Sequence, residues 1–254
     1  MSGGVGFAMR STKVPEVTLA FWIIKILATT LGETGGDAVS MSMDLGYLVG
    51  TGIFMAIFVG AVAAQMSAKA FHPFLYWATI IASTTVGTTL ADFADRSLGI
   101  GYAGGSSILF VLLIASLFVW YRSVGSVDVG SVSTPQAEFF YWLTIMFSQT
   151  LGTALGDWTA DTAGLGYMGA AMLFSALLLI IVLAYYRTGI SHTVLFWAAF
   201  ILTRPLGAVV GDFLDKPVSH GGLELSRYSA TATLLILIVL CILAFPQRAA
   251  GRAH

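Results

Sequence analysis

The chain has 254 residues, of which 57% are hydrophobic and 10% are charged, and its formal net charge is −1. Soluble domains carry about 25% charged residues, so this composition excludes an ordinary soluble domain and indicates a protein embedded in lipid. The balanced charge without a basic stretch gives no support to nucleic-acid binding. The single cysteine, Cys241, excludes an internal disulfide.

Eight apolar segments of near-transmembrane length follow one another along the chain. Because a membrane-spanning helix needs about 17–25 mostly apolar residues, they predict an all-α integral membrane protein with eight transmembrane helices. The segments cover approximately residues 15–35, 46–66, 72–92, 102–122, 136–157, 167–187, 192–213 and 228–246. The first segment is too long for a signal peptide and carries a motif that recurs later, so we interpret it as a retained span.

Four of these segments end in the same pattern, Gly-x-x-x-(Gly/Ala)-Asp, with a tryptophan ten residues before the leading glycine. The copies are Gly32–Asp37, Gly87–Asp92, Gly152–Asp157 and Gly207–Asp212, preceded by Trp22, Trp77, Trp142 and Trp197. Copies one and three are 120 residues apart, as are copies two and four. The spacing predicts one membrane domain made of two 120-residue halves, residues 1–125 and 126–254, each with two two-helix repeats. The tryptophans are equally explained by an aromatic belt at a membrane interface.

Each repeat contains two spans, so every repeat starts on the same side of the membrane and the four are parallel. All four motifs then face one side. The opposite side carries more basic residues, namely Arg10, Lys13, Lys69, Arg122, Arg187, Arg248 and Arg252, against Arg96, Lys216 and Arg227 on the motif side. Because cytoplasmic loops are enriched in Lys and Arg, both termini are predicted to be cytoplasmic.

Every motif has two acidic residues three or four positions apart, a spacing that places both on one helix face. The predicted ion-binding pairs are Glu33/Asp37, Asp92/Asp95, Asp157/Asp161 and Asp212/Asp215, with hydroxyl oxygens from Thr30, Thr85 and Thr150. Hard cations such as Mg²⁺, Mn²⁺ and Ca²⁺ prefer oxygen ligands. The candidate metal ligands are Glu33, Asp37, Asp92, Asp157 and Asp212. Two alternatives stay open: a pair that holds a proton, and acids that are only solvated at the interface, with glycines that only pack helices.

Two charged residues break the repeat. Lys25 stands where the other copies have Ile80, Ile145 and Phe200, and Arg204 stands where they have Thr29, Thr84 and Gln149. A lone ammonium inside an apolar segment needs a partner or a wet cavity. For Lys25 we expect a carboxylate partner, either in a proton-exchanging pair or in a fixed salt bridge. Arg204 is predicted to pair with one or more motif carboxylates.

The segment from Pro15 to Asp37, with its Trp…Thr-Thr-Leu-Gly-Glu…Asp string, resembles a repeat family of bacterial membrane proteins of unknown function. It is similar in particular to a group described as uncharacterised membrane-anchored proteins. The resemblance extends through all four copies. It implies an integral protein of the bacterial inner membrane but no particular activity, so the functional hypothesis rests on the residues.

We therefore expect a cation transporter or channel, with a divalent ion of the Mn²⁺, Mg²⁺ or Ca²⁺ class as substrate or ligand and no covalent cofactor. Coupling to protons through Lys25 or an acid pair stays open. The main alternative is a non-transporting membrane protein that binds or senses a metal or partner. A membrane enzyme is least favoured, because the sequence has no nucleophile motif, phosphate loop or HExxH. Lipid and the cation are the expected partners, and whether the repeats close one path in a monomer or form part of a homodimer stays open.

Overall fold

The fold consists of long helices joined by short connections. A computed structural model describes residues 12–251, and within that range the chain forms eight α-helices and no β-sheet. The helices are α1 (Leu19–Asp37), α2 (Gly46–Ser67), α3 (Pro73–Asp92), α4 (Tyr102–Val124), α5 (Pro135–Asp157), α6 (Gly166–Arg187), α7 (His192–Asp215) and α8 (Arg227–Ala244). Their bounds lie within a few residues of the predicted segments.

The motif aspartate marks where three of the helices change. After Asp37, Asp92 and Asp157 the chain continues in a wider π-helical turn of five residues. In the fourth repeat α7 instead stays α-helical as far as Asp215. The fourth repeat therefore departs from the other three directly after its motif.

The odd-numbered helices form a closed inner ring in the order α1, α3, α5, α7 and back to α1. Each even-numbered helix packs on the outside against the next odd-numbered one, and α8 closes the outer layer against α1. Both halves of the chain thus contribute to one bundle. The ring is complete within a single chain and brings the C-terminal ends of its four helices together.

Six helices, α2, α3, α4, α6, α7 and α8, are long and apolar enough to cross a membrane. The outer helices expose large apolar side chains such as Phe110, Ile180 and Leu240, as expected of a surface in contact with lipid. The structure thus supports an all-helical membrane protein, although eight spans are not established. The helix α1 is less apolar because it carries Lys25, Glu33 and Asp37, and α5 because it carries Glu138, Gln149 and Asp157. Most residues of both helices are buried inside the bundle.

The two described ends of the chain meet on the side where the odd helices begin. Pro15 forms an isolated antiparallel bridge with Ala249. Lys13, counted above as a loop cation, is instead buried and lies 2.8 Å from Glu138. Arg10 and Arg252, which also contribute to the predicted orientation, lie outside the described residues.

Candidate functional site: a buried carboxylate network

The leading glycine of each motif is where neighbouring inner helices touch. A Cβ at Gly207 would lie 2.2 Å from Thr29 Oγ1, and one at Gly152 would lie 2.3 Å from Arg204 Cγ. In each case the side chain that lies against the glycine belongs to the next helix in the ring. It stands three positions before the leading glycine of its own helix. The contacts are Gly32 against Thr84, Gly87 against Gln149, Gly152 against Arg204 and Gly207 against Thr29. Because small residues let helix backbones approach closely, these contacts draw the four motif ends together.

Five carboxylates gather at that end of the ring and are almost completely buried. Their exposed fractions are 0% for Asp37, 2% for Glu33, Asp92 and Asp157, and 3% for Asp212. Their burial contradicts the interpretation of these acids as solvated interfacial groups. A buried carboxylate costs free energy unless a counter-charge, a proton or hydrogen bonds compensate it, so the partners of these five groups define the site.

The second acids of the motifs do not form four equivalent pairs. Asp215 is 6% exposed and joins the buried group, whereas Asp161 is exposed. Asp95 is buried but packs against α4, since its Oδ1 lies 2.6 Å from where a Cβ on Gly105 would stand. The reason is the wide turn that follows α3 and α5, because a π-helical turn rotates later residues away from the face that α-helical spacing predicts.

Lys216 supplies a cation to the centre of the group. Its Nζ lies 2.5 Å from Asp37 Oδ2 and 3.0 Å from Asp212 Oδ1, so it links α1 to α7. Burial disfavours the charged form of Lys216, but the carboxylates of Asp212 and Asp37 outweigh that effect and raise its pKa above the ordinary value. The ammonium therefore stays charged at neutral pH.

Two arginines on the motif side each bridge two carboxylates. The ion pairs are Arg96–Asp92 at 2.9 Å, Arg96–Asp157 at 3.5 Å, Arg227–Asp215 at 2.9 Å and Arg227–Asp37 at 3.8 Å. Arg96 joins α3 to α5, and Arg227 joins α8 to α7 and α1. Arg96, Lys216 and Arg227, which the sequence analysis used only to predict the orientation in the membrane, thus all belong to the site.

Arg204 is fully buried and connects all four inner helices. Its Nη2 lies 2.9 Å from Glu33 Oε2, which agrees with the predicted pairing to a motif carboxylate. The same nitrogen is within hydrogen-bond distance of the hydroxyls of Thr88 and Thr153. Sequence reasoning missed both threonines, although the repeat held a signal: they and Glu33 each stand directly after a leading glycine.

The network contains more acids than bases. Six carboxylates take part in these ion pairs, namely Glu33, Asp37, Asp92, Asp157, Asp212 and Asp215, with four cations, Arg96, Arg204, Lys216 and Arg227. When all are ionised, the formal charge of the network is therefore −2. Ligand oxygens of Glu33, Asp37 and Asp212 lie within 4.8 Å of one another, which is close enough to share one ion. One divalent cation or two protons would balance the charge.

Lys25 does not have the carboxylate partner that the sequence predicted. It is fully buried, its Nζ lies 4.2 Å from the centroid of the Phe200 ring, and it has no hydrogen-bond or ion-pair partner in the described part of the chain. The reason is distance and competition. Glu33 follows eight residues later, about 12 Å along the helix, and Arg204 already occupies its carboxylate.

Other buried polar atoms on the inner helices are also unpaired. Thr84 Oγ1, Ser148 Oγ and both polar atoms of the Gln149 side chain are buried without a hydrogen-bond partner among residues 12–251. Buried polar groups without partners are uncommon in folded proteins. These groups lie within the two helical turns before the leading glycines, so a polar zone separates the carboxylates from the far end of the ring.

The hydroxyls of the three candidate threonine ligands form hydrogen bonds within their own helices instead of contacting the carboxylates. Thr30, Thr85 and Thr150 each donate a hydrogen bond to a carbonyl four residues earlier in the same helix, at 2.8–3.0 Å. This local bonding is a common alternative for threonine within helices. No described contact links these hydroxyls to the carboxylate network.

The opposite end of the inner ring is closed by aromatic side chains. Trp77, Trp142 and Trp197 are 1–4% exposed and are core residues rather than members of an interfacial belt, whereas Trp22 is partly buried and packs against that core. Beside them, the hydroxyls of Tyr76 and Tyr141 lie 2.6 Å apart. Each repeated tryptophan directly follows another aromatic residue. We call these eight residues the aromatic end: Phe21, Trp22, Tyr76, Trp77, Tyr141, Trp142, Phe196 and Trp197.

Comparison with known proteins identifies the repeat. A family model described as "Repeat of Unknown Function (DUF347)" matches four times, at residues 20–71, 75–126, 140–191 and 195–248. These four ranges together cover most of the chain and coincide with the repeats seen in the sequence. No protein among the curated ones and no solved structure matches the chain significantly.

Proposed function

The chain belongs to this repeat family of unknown function, and we propose that it is a cation transporter of the bacterial inner membrane with a divalent metal ion as its substrate. The observation that carries the proposal is the network of six buried carboxylates and four cations, of which Arg204 is fully buried while Arg96 and Arg227 lie partly exposed at its edge. An excess of two negative charges in a low-dielectric interior is unfavourable, so the network favours taking up a cation or protons.

The geometry of three carboxylates favours a divalent metal. Glu33, Asp37 and Asp212 offer oxygens within 4.8 Å of one another, and Mn²⁺, Mg²⁺ and Ca²⁺ prefer oxygen ligands. Two protons would neutralise the same excess charge. Proton-coupled exchange therefore follows naturally, because metal ion and protons would compete for the same carboxylates.

A transporter that changes conformation is favoured over a permanently open channel. Arg204 joins α7 to the three other inner helices at the level of the network. Behind it, the aromatic end fills the ring with buried side chains. Ion passage would then require both contacts to rearrange, which is characteristic of alternating access rather than of an open pore.

The proposed orientation places the carboxylates on the outer side of the membrane. Among the described residues, the exposed cations Lys69, Arg122, Arg187 and Arg248 lie on the opposite side, as expected for cytoplasmic loops. On the motif side, by contrast, the basic residues are engaged in the network. Both termini are thus proposed to be cytoplasmic.

Ion flux into proteoliposomes tests the proposal. We expect Mn²⁺ uptake by the wild-type protein and its loss in Asp92→Asn and Asp157→Asn, since each change removes one charge from the network. Asp161→Asn is the matched control, because Asp161 is exposed and lies in the same repeat as Asp157. Unchanged flux in both network variants would refute transport through this site.

The second candidate function is a membrane protein that binds or senses a metal without moving it. It is favoured by the finding that every carboxylate of the network already has a basic partner, which would also stabilise a static bundle. Thermal unfolding with Mn²⁺, Mg²⁺ and Ca²⁺, in wild type and Asp37→Asn, identifies any bound ion. Stabilisation that depends on Asp37, without flux in proteoliposomes, would support this alternative.

A further inference from the structure

We propose that Lys216 is a tethered counter-cation: its ammonium occupies the position of the ion and has to leave before the ion binds. This inference rests on the proposed function, because it concerns the same carboxylates. It adds that the site exchanges an internal cation for an external one, and it assigns that role to a single residue.

The first argument is the position of the ammonium. Lys216 Nζ contacts Asp37 Oδ2 at 2.5 Å and Asp212 Oδ1 at 3.0 Å, and both acids belong to the three-carboxylate group. A divalent ion bound by those oxygens would stand about 2.0–2.6 Å from them. The ion and the ammonium therefore cannot occupy the position together.

The second argument is that only the fourth repeat has this lysine loop. In the other repeats a π-helical turn follows the motif aspartate, whereas α7 ends at Asp215 and a longer loop, residues 216–224, begins with Lys216. The loop is folded back onto the helix end. Its backbone bonds are Leu223 N–H to Phe213 O at 2.7 Å, Glu224 N–H to Lys216 O at 2.9 Å and Leu225 N–H to Leu214 O at 2.9 Å.

The loop also holds the lysine backbone tightly in place. A Cβ on Gly222 would lie 2.1 Å from the Lys216 carbonyl oxygen, so only glycine fits there without movement. The preceding Gly221 has φ +84°, a left-handed conformation that favours glycine. The loop therefore packs closely around the backbone of Lys216, and we infer that the ammonium is displaced by rotation of the side chain.

The third argument is that the ammonium reaches the site from its outer edge. The side chain of Lys216 is 11% exposed, whereas that of Asp37 beneath it is 1% exposed. Lys216 thus covers the carboxylates and has a route toward solvent that leaves the inner helices in place. When the ammonium turns away, the carboxylates of Asp37 and Asp212 become accessible to an arriving cation.

Calorimetric titration of the purified full-length protein with Mn²⁺ tests this role. We expect Lys216→Gln to bind Mn²⁺ at least about tenfold more tightly than wild type, because no internal cation competes. Arg96→Gln is the matched control, since it removes one positive charge from the same network but lies at Asp92 and Asp157, away from the three-carboxylate group. We expect its effect to be several times smaller.

Two further variants test whether the ammonium blocks the ion position, independently of the charge it carries and of the folding of Lys216→Gln. Lys216→Arg keeps the charge and should bind Mn²⁺ as weakly as wild type. Gly222→Ala keeps the lysine but pushes its backbone, so it should strengthen binding even if Lys216→Gln does not fold.

The outcomes separate this inference from the proposed function. Equal strengthening in Lys216→Gln and Arg96→Gln would show a general effect of charge and overturn the tethered role. Wild-type affinity in both Lys216→Gln and Gly222→Ala would overturn it too, while leaving the cation site intact. Absence of Mn²⁺, Mg²⁺ and Ca²⁺ binding in wild type and all variants would overturn the cation site itself.

Discussion

The two ends of the inner ring are made by the same four helices, yet they bury very different side chains. At the aromatic end, each helix contributes one aromatic residue and one tryptophan at equivalent repeat positions, and the interior is filled by packing. At the other end each helix contributes an aspartate, and the interior is filled by ion pairs. One end is thus stabilised mainly by apolar burial and the other by electrostatics.

An aromatic residue followed by tryptophan recurs in all four repeats at the aromatic end, whereas the charged residues at the carboxylate end differ from repeat to repeat. Glu33 replaces the threonine found after the glycine in the second and third repeats, Arg204 replaces a neutral residue, and Lys216 opens a loop that the other repeats lack. These three changes give the carboxylate end charged groups that the repeat itself does not supply. The comparison therefore locates the specialised function at the carboxylate end.

The largest effect is expected from removing the central arginine. Arg204→Met leaves Glu33 buried without its cation and should lower the free energy of unfolding by about 3–5 kcal/mol, as for other broken buried pairs. Unfolding in detergent micelles measures the loss. Adding Glu33→Gln should recover much of it, and a single variant as stable as wild type would contradict the central role of Arg204.

A smaller loss is expected where the ring helices touch. Gly207→Ala places a Cβ 2.2 Å from Thr29 Oγ1, and such overpacking typically costs about 1–3 kcal/mol. The control is Gly60→Ala in the outer helix α2, where a Cβ would meet nothing within 4 Å. If both variants unfold at the same temperature, the close approach of the inner helices is not what stabilises the ring.

Lys25→Met tests the corrected environment of the buried lysine. Because the ammonium has no hydrogen-bond or ion-pair partner among the described residues, its replacement by an apolar side chain of similar size should raise the free energy of unfolding by about 1–2 kcal/mol. Thermal unfolding distinguishes this from the carboxylate pairing that the sequence suggested. A clear loss of stability would favour the pairing after all.

The smallest effect should come from the aromatic end. Tyr76→Phe removes the hydroxyl that lies 2.6 Å from the Tyr141 hydroxyl and should cost about 0.5–1.5 kcal/mol. Since this end holds no carboxylate of the network, Mn²⁺ affinity should stay at the wild-type value. A large drop in affinity would show that the two ends are coupled more closely than the comparison implies.

Much of the fold follows from the sequence because the repeat and the apolar periodicity are local signals. Helix positions, the placement of all four motif ends on one side and a packing role for the leading glycines could all be predicted. The number of membrane spans could not be predicted with the same certainty. Most residues of α1 and α5 are buried inside the bundle, so these helices need not be apolar on every face. The wide turns after Asp37, Asp92 and Asp157 were also missed, since no residue pattern marks them.

The site was harder to predict because its contacts join residues far apart in the chain. The aspartates were found from the repeat, but the cations that neutralise them were not, apart from Arg204. Lys216 reaches Asp37 from 179 positions away, and only its place in an extra loop distinguished it. Asp95 and Asp161 were included because α-helical spacing was assumed beyond the motif.

The central claim is that the carboxylate end, with its excess of negative charge, binds a divalent cation. Equilibrium dialysis of the purified protein against Mn²⁺ tests it directly by counting ions per chain. The account predicts one Mn²⁺ per wild-type chain and none in Asp37→Asn/Asp212→Asn, which removes two of the three grouped carboxylates. Equal amounts of bound Mn²⁺ in the two proteins, or none in either, would contradict it.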